Sequence, residues 1–269
     1  MDVKKVLYIS QEIAPYLPAT VMSELCRQIP QGIQEQRGFE VRTFMPKYGS
    51  INERRNQLHE VIRLSGLNLV IDDTDHPLII KVATLQPARM QVYFIDSEDY
   101  FSRHLTDELE INSDPAENDE RIMFFVRGVV ETAKKLRWEP AIIHCSGWVT
   151  ALAPLYLKRH YANDPTMKDA KVVYSLFDNK FDGTMDARMA EKLKMEGLTD
   201  DDLAAIKDGP ADYIALNKLA IDHADAIVQA VEGVDAELIE YAKQSGKPFM
   251  EYPGAEDYIQ KYKEFYESL

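Results

Sequence analysis

Residues 4–51 read KKVLYISQEIAPYLPATVMSELCRQIPQGIQEQRGFEVRTFMPKYGSI, and the fold is decided there. Val6–Ile9 is a short apolar run of the kind buried in a parallel sheet. Ser10–Thr20 is a loop with prolines at Pro15 and Pro18. A helix follows, because Val21, Met22, Leu25, Cys26, Ile29 and Ile33 fall on one face. Thr20 is placed as its N-cap, and Glu24 stands in the first turn, where the helix dipole favours an acid. Gly38 comes after the helix, Glu40–Met45 reads as a second strand, and Pro46 stops it. Strand, loop, helix, strand is a βαβ unit opening a doubly wound fold.

In such a unit the first strand-to-helix loop faces the ligand crevice, and the helix N-terminus offers free N–H groups to an anion. A phosphate-binding loop uses glycine so that the backbone can come close. Between Ser10 and Gln31 this chain has none. The loop has the expected place without the expected composition.

The remaining chain extends the same architecture. Leu58–Leu64, Leu67–Ile71, Leu78–Leu85 and Met90–Ile95 are short β-type runs separated by turn-like segments, which predicts an antiparallel insertion. Thr106–Glu117 is polar and acidic and reads as a loop. A helix then carries Ile122, Phe125, Val126, Val129, Val130, Ala133 and Leu136 on one face. Ala141–Cys145 and Lys171–Phe177 read as buried strands, with a helix between them reaching about Tyr161. Residues 185–208 read as helical and charged. Ala211–His223 is helix, Ala226–Val231 strand, Asp235–Lys243 helix and Pro248–Tyr252 a last strand. Ala255–Leu269 is a terminal helix whose Tyr258, Ile259, Tyr262, Phe265 and Tyr266 need cover from the rest of the chain or from a partner. The expectation is one domain over residues 1–269, with a doubly wound, Rossmann-like, mostly parallel α/β sheet and an antiparallel β insertion.

Composition narrows the function classes. Lys and Arg number 31 against 45 Asp and Glu, a net charge of −14. Nucleic-acid and anionic-membrane partners are therefore not expected, since phosphate recognition needs a positive footprint. Cys26 and Cys145 both sit in apolar patterns and are expected as buried free thiols. No apolar run approaches the roughly 18 residues of a membrane span, and no signal peptide is read at the N-terminus, so a cytoplasmic protein is expected. The histidines, His59, His76, His104, His144, His160 and His223, pair with no Cys, Asp or Glu at a metal-ligand spacing, so no metal and no cofactor is expected. Asp72-Asp73-Thr74-Asp75 lacks the glycine and final glutamate of a calcium loop and reads as a solvated turn.

Several stretches together carry a family resemblance. Ser10-Gln11-Glu12-Ile13-Ala14-Pro15-Tyr16, Arg37-Gly38-Phe39-Glu40-Val41 and Met45-Pro46-Lys47-Tyr48-Gly49 resemble the S-S-E-x-A-P-F, R-G-H-x-V and M-P-x-Y-G segments that open bacterial glycogen synthases and plant starch synthases. Val92-Tyr93-Phe94-Ile95-Asp96 through Tyr100-Phe101 is similar to their V-Y-F-I-D-x-x-x-Y-F. Glu117-Asn118 through Arg121 partly matches a D-N-x-x-R-F. Pro140–Leu152 resembles P-D-I-I-H-x-H-D-W-x-T-x-L, keeping His144, Trp148 and Thr150. Asn217, Lys218, Ala224 and Asp225 are similar to a later N-x-x-K-x-x-x-x-x-A-D segment. The resemblance runs nearly end to end over the first half of a GT-B fold, in which two Rossmann-like domains face each other.

What the resemblance implies is glucosyl transfer from ADP- or UDP-glucose to an α-1,4-glucan. The positions it would assign to catalysis are altered. Pro18 stands at the family's K-x-G-G lysine, Thr20 and Val21 at its two glycines, Gly147 at its aspartate and Phe177 at its active-site histidine, so no catalytic residue is assigned. Ligand contact is expected instead at Glu12, Tyr16, Tyr48, Trp148 and Asp178, around the carboxyl ends of the strands. For Trp148, core packing at a helix start is the preferred alternative. Two readings follow. One is a non-catalytic relative that binds an α-glucan, a sugar nucleotide or a protein; the other is an active glycosyltransferase half completed by a separate second-domain chain. A homo-oligomer or a second-domain partner would cover the face that the synthases turn toward their other domain.

Overall fold

The structure is a computed structural model that describes residues 3–102, 110–113 and 117–269. In chain order the elements are β1 (Lys4–Ser10), α1 (Val21–Gln34), β2 (Phe39–Pro46), β3 (His59–Glu60), β4 (Leu67–Ile71), β5 (Thr74–Leu85) and β6 (Met90–Asp96). A π-helical turn, Glu98–Ser102, leads to α2 (Glu110–Ser113), α3 (Asn118–Lys135) and β7 (Ile142–Ser146). After a 3-10 turn at Trp148–Thr150 come α4 (Leu152–Lys158), β8 (Lys171–Leu176), α5 (Met189–Met195), α6 (Tyr213–His223), β9 (Ala226–Gln229), α7 (Ala236–Gln244), β10 (Phe249–Met250) and α8 (Tyr258–Ser268).

The strands form one sheet in the order β10-β9-β8-β7-β1-β2-β6-β5-β3, with β4 paired to β5. Every neighbour pair from β10 to β6 is parallel, whereas β6–β5, β5–β3 and β4–β5 are antiparallel. The doubly wound sheet and its antiparallel insertion are as the sequence predicts. Chain order reverses direction across the sheet between β1 and β7, the switch point where crevices form. The central strands are apolar on both faces, and Val6, Leu7, Tyr8 and Ile9 are all buried. That is the price of helices on both sides of a parallel sheet.

Local chemistry places α1. Thr20 caps it with a reciprocal box, in which the Ser23 N–H donates to Thr20 Oγ1 and the Thr20 N–H donates to Ser23 Oγ, each at 2.9 Å. The terminal helix α8 lies against α1. A Cβ on Gly32 would stand 2.7 Å from Ile259 Cδ1, so the two helices approach this closely because position 32 carries no side chain. Tyr262 and Tyr266 of α8 are buried, which gives that aromatic face its cover. Cys26 and Cys145 are buried free thiols, and burial pushes the Cys26 thiol up to about 12. No described helix is long and apolar enough to cross a membrane.

Three boundaries differ from the sequence reading. Leu58–Leu64 is strand only at His59–Glu60, with one further bond from the Val61 N–H to Ile80 O at 2.8 Å, because Val61–Leu64 folds into a turn closed by Leu64 N–H to Val61 O at 2.9 Å. Residues 185–208 hold only the seven-residue α5 as α-helix, and Thr199–Ile206 forms turns built on the Thr199–Asp202 side-chain bonds. The last strand shrinks to Phe249–Met250, where β10 finds a single partner in β9. Much of the acidic loop expected at Thr106–Glu117 lies outside the described residues; within it, 110–113 is helical.

The insertion is tied to the rest of the chain by two arginines. Arg127 of α3 donates to Val70 O at 2.5 Å and pairs with Glu196 at 2.6 Å, both side chains largely buried, while Tyr156 also donates to Glu196. Arg188 grips Asp72 at 3.1 and 3.2 Å but is exposed. Removing one member of a buried pair strands the other charge, whereas exposed pairs contribute little. Arg127→Met should therefore lose about 3 kcal/mol of unfolding free energy in urea titrations, and Arg188→Ala less than about 1 kcal/mol. Equal losses would show that the two contacts are not ranked by burial.

Candidate functional site at the switch point

The carboxyl ends of β1, β2, β7 and β8 meet around Gln11, one residue past β1, at the switch point. Its N–H donates to Ser146 O at 3.1 Å, and its carbonyl accepts from Tyr48 Oη at 2.9 Å. Its side chain is held as well, since Oε1 accepts from Asn179 Nδ2 at 3.0 Å and stands 3.5 Å from the Val149 N–H. Gln11 is 2% exposed. Below it lies Gly147, at φ +85°, a conformation that L side chains rarely adopt. A Cβ there would stand 2.7 Å from Gln11 Oε1 and 3.0 Å from Met22 Cε.

The expected ligand residues divide by exposure. Glu12 is half-buried and accepts from the Thr20 hydroxyl, and Asp178 is exposed just beyond β8. The three aromatics are covered by protein. Tyr16 packs edge-on against Phe94 with ring centroids 4.8 Å apart. Tyr48 is 1% exposed, with its hydroxyl on Gln11. Trp148 is 1% exposed, stands 4.8 Å from the Phe181 ring and donates Nε1–H to Asn112 Oδ1 at 3.2 Å. The packing alternative for Trp148 thus describes its surroundings, and all three rings are buried rather than open to a ligand.

The altered positions are equally specific. Phe177 is buried, and its carbonyl accepts from Tyr213 Oη at 2.7 Å. Pro18 is exposed and its carbonyl takes the Ser23 hydroxyl. Lys47, at the end of β2, is buried against Glu53 at 3.1 Å, and Lys180, beyond β8, pairs with Asp235 at 2.7 Å. Both cations already face carboxylates. Beside the crevice, between α1 and the ends of β9 and β10, a cavity of about 270 Å³ is lined by uncharged residues, among them Val21, Leu25, Gln28, Val231, Tyr252 and Tyr258.

Sequence reasoning did not single out Gln11. The signal was there: a large side chain at a position where the resembled family has serine, and no side chain at one where it has aspartate. It also missed what His144 does. His144 is buried on β7, with Nε2 2.6 Å from Ser175 Oγ and Nδ1 2.8 Å from Tyr266 Oη, which in turn reaches Tyr8 Oη at 3.0 Å. This chain of bonds fastens α8 to the sheet. Burial pushes the His144 imidazole down from 6.5 to about 3.

Comparison with known proteins agrees with this fold. Residues 5–247 match the family described as the starch synthase catalytic domain. A glycogen synthase of Chlorobium phaeobacteroides is 37% identical over 193 residues, covering 71% of this chain and 39% of the relative. A glycogen synthase of Pelodictyon phaeoclathratiforme is 33% identical over 236 residues, covering 87% of this chain and 47% of the relative. This chain thus spans less than half the length of these relatives. Among solved structures, the catalytic domain of starch synthase IV from Arabidopsis thaliana, bound to ADP and acarbose, superposes with a TM-score of 0.73 at 18% identity, over 93% of this chain and 51% of that one.

The buried imidazole gives a pH dependence with a definite sign. Folded His144 stays neutral down to about 3, while in the unfolded chain it takes a proton below 6.5. The unfolded state therefore binds more protons between those values, and stability falls as pH drops through that window. At its steepest this group contributes about 1.4 kcal/mol per pH unit. His144→Asn, which can still bond Ser175 and Tyr266, should flatten the urea-midpoint profile between pH 6.5 and pH 4 relative to the parent. Parallel profiles would mean that His144 is not the group responsible.

Proposed function

Because this chain belongs to the family of the starch synthase catalytic domain, we propose that it is a glycogen/starch synthase-type glycosyltransferase domain that binds a neutral α-glucan and does not by itself transfer glucose. Transfer leaves negative charge on a departing diphosphate and positive charge on the sugar ring. Groups preorganised for those charges are worth about 3–4 kcal/mol each, or a hundred- to thousand-fold in rate. The single observation that carries the reading is what stands at the crevice: Pro18, Gly147 and Phe177 bring neither a charge nor a side-chain proton. The nearby Lys47 and Lys180 are engaged by Glu53 and Asp235.

Binding is a separate matter from transfer. Glu12 and Asp178 present carboxylates suited to hydroxyls, and the uncharged, tyrosine-bearing cavity beside them suits the apolar faces of sugar rings. In a chain of net charge −14 these features disfavour a diphosphate. The ADP and acarbose held by the starch synthase IV structure belong to that protein. A second copy or a second-domain chain would sit over the same face, where Val21 is 65% exposed.

Two measurements test this. Purified protein incubated with radiolabelled ADP-glucose or UDP-glucose and glycogen should put no label into polymer above a boiled control. Label that enters polymer, and is lost on changing Glu12 or Asp178 to alanine, would overturn the inactive reading in favour of an active half. Maltoheptaose should raise the thermal midpoint in a concentration-dependent way, as any ligand of the native state does, and Asp178→Ala should weaken that rise. A midpoint indifferent to maltoheptaose would remove the glucan from the proposal.

A further inference from the structure

We propose that Gln11 is the specificity-determining residue of the crevice: a plug from the chain's own β1 loop that fills the switch point and excludes ligands from its centre. Four contacts place it. Oε1 takes the Asn179 amide at 3.0 Å, lies 3.5 Å from the Val149 N–H, and covers Gly147 so closely that an added Cβ would meet it at 2.7 Å. The Tyr48 hydroxyl holds the backbone carbonyl of the same residue at 2.9 Å. Positions 11 and 147 thus compete for one volume. The crevice can hold the carboxamide from β1 or a side chain from the β7 turn, and this chain uses the first.

The plug also specifies what could replace it. Asn179 Oδ1 is buried without a partner, while its Nδ2 is spent on Gln11. With the carboxamide withdrawn, the site presents two donors, Asn179 Nδ2–H and the Val149 N–H, and one acceptor, Asn179 Oδ1. A hydroxyl group both donates and accepts and can satisfy this set. An anion, which brings no proton, cannot use Asn179 Oδ1. The group that fits is the hydroxyl of a neutral polyol. That last step rests on the glucan reading; the existence of the plug does not.

A double-mutant cycle tests the plug. In urea, Gly147→Ala should lower the unfolding midpoint clearly more in the parent than in Gln11→Ala, because the positive-φ strain is common to both backgrounds and cancels. Equal losses would overturn the plug. Gln11→Asn, one methylene shorter, serves the same cycle if the alanine variant does not fold. Acetamide, which matches the atoms removed by Gln11→Ala, should raise the thermal midpoint of that variant relative to the parent in the same solution. Its failure to do so would count against a vacated, amide-sized volume. For specificity, Gln11→Ala should bind maltotriose at least tenfold more tightly than the parent by calorimetry, with no such gain for ADP-glucose. A gain confined to ADP-glucose, or no gain at all, would overturn Gln11 as the determinant of specificity. If the cycle and acetamide arms succeed while maltoheptaose leaves both parent and variant unmoved, the glucan reading fails and the plug stands.

Discussion

Where β1 and β7 run side by side and their following segments diverge, the backbone groups at the two strand ends lose their ladder partners and still need hydrogen bonds. Buried N–H and C=O groups go unpaired only at a cost comparable to a lost hydrogen bond. One residue meets that constraint. The Gln11 N–H continues the pairing to Ser146 O, and its carbonyl takes Tyr48. In this way β1, β2 and β7 are joined just beyond the sheet. The side chain then extends the join to β8 through Asn179. A position that in a ligand-binding α/β protein would be left to the ligand is used here to close the sheet on itself.

A second polar seam works on one face of the same strands. Tyr8, Tyr266, His144 and Ser175 form a continuous line of hydrogen bonds through β1, α8, β7 and β8. Lys4 adds a bond to Tyr266 O at 2.8 Å. Buried networks of this kind fix one arrangement because every alternative leaves a member unsatisfied. The terminal helix is therefore positioned by specific bonds as well as by its aromatic area, and its register is set against the histidine that the sequence keeps at position 144. With α8 so placed, and with Gly32 letting it approach α1, the cavity between α1 and the ends of β9 and β10 acquires its Tyr258 wall.

The parallel strands were legible because burial on both faces forces continuous apolar runs, and Val6–Ile9, Ile142–Cys145 and Val172–Leu176 have no other reading. Thr20 was legible as a cap because its chemistry is local. The segment 185–208 was misread for the opposite reason. Its charged residues and Met189, Leu193 and Leu203 carry helical spacing, but Thr199 and Asp202 bond each other and divert the backbone into turns. At the site, residues could be placed near strand ends, while their exposure could not be read. A tyrosine or tryptophan near a strand end looks the same in sequence whether its face is open or packed, and Tyr48 and Trp148 are packed. Gln11 was invisible because its meaning depends on Gly147 and Asn179, far away along the chain and adjacent only after folding.

The polar groups around the switch point are matched to one another. A position emptied at Gly147 is filled from Gln11. The Thr20 hydroxyl, where a glycine would serve phosphate, caps α1 and holds Glu12. Ser175 serves His144, and Phe177 gives its carbonyl to Tyr213. These polar groups around the strand ends are thus engaged inside the chain. Three of the buried side-chain oxygens left over are Ser10 Oγ, Ser97 Oγ and Asn179 Oδ1, and they stand at the carboxyl ends of β1, β6 and β8. Buried oxygens without partners are uncommon in a folded core, and each asks for a partner that the chain's own side chains do not supply. Two of these are hydroxyls, which both donate and accept, while Asn179 Oδ1 only accepts, so a partner at the end of β8 must bring a proton. At that position a hydroxyl group satisfies the oxygen and a fully ionised phosphate does not.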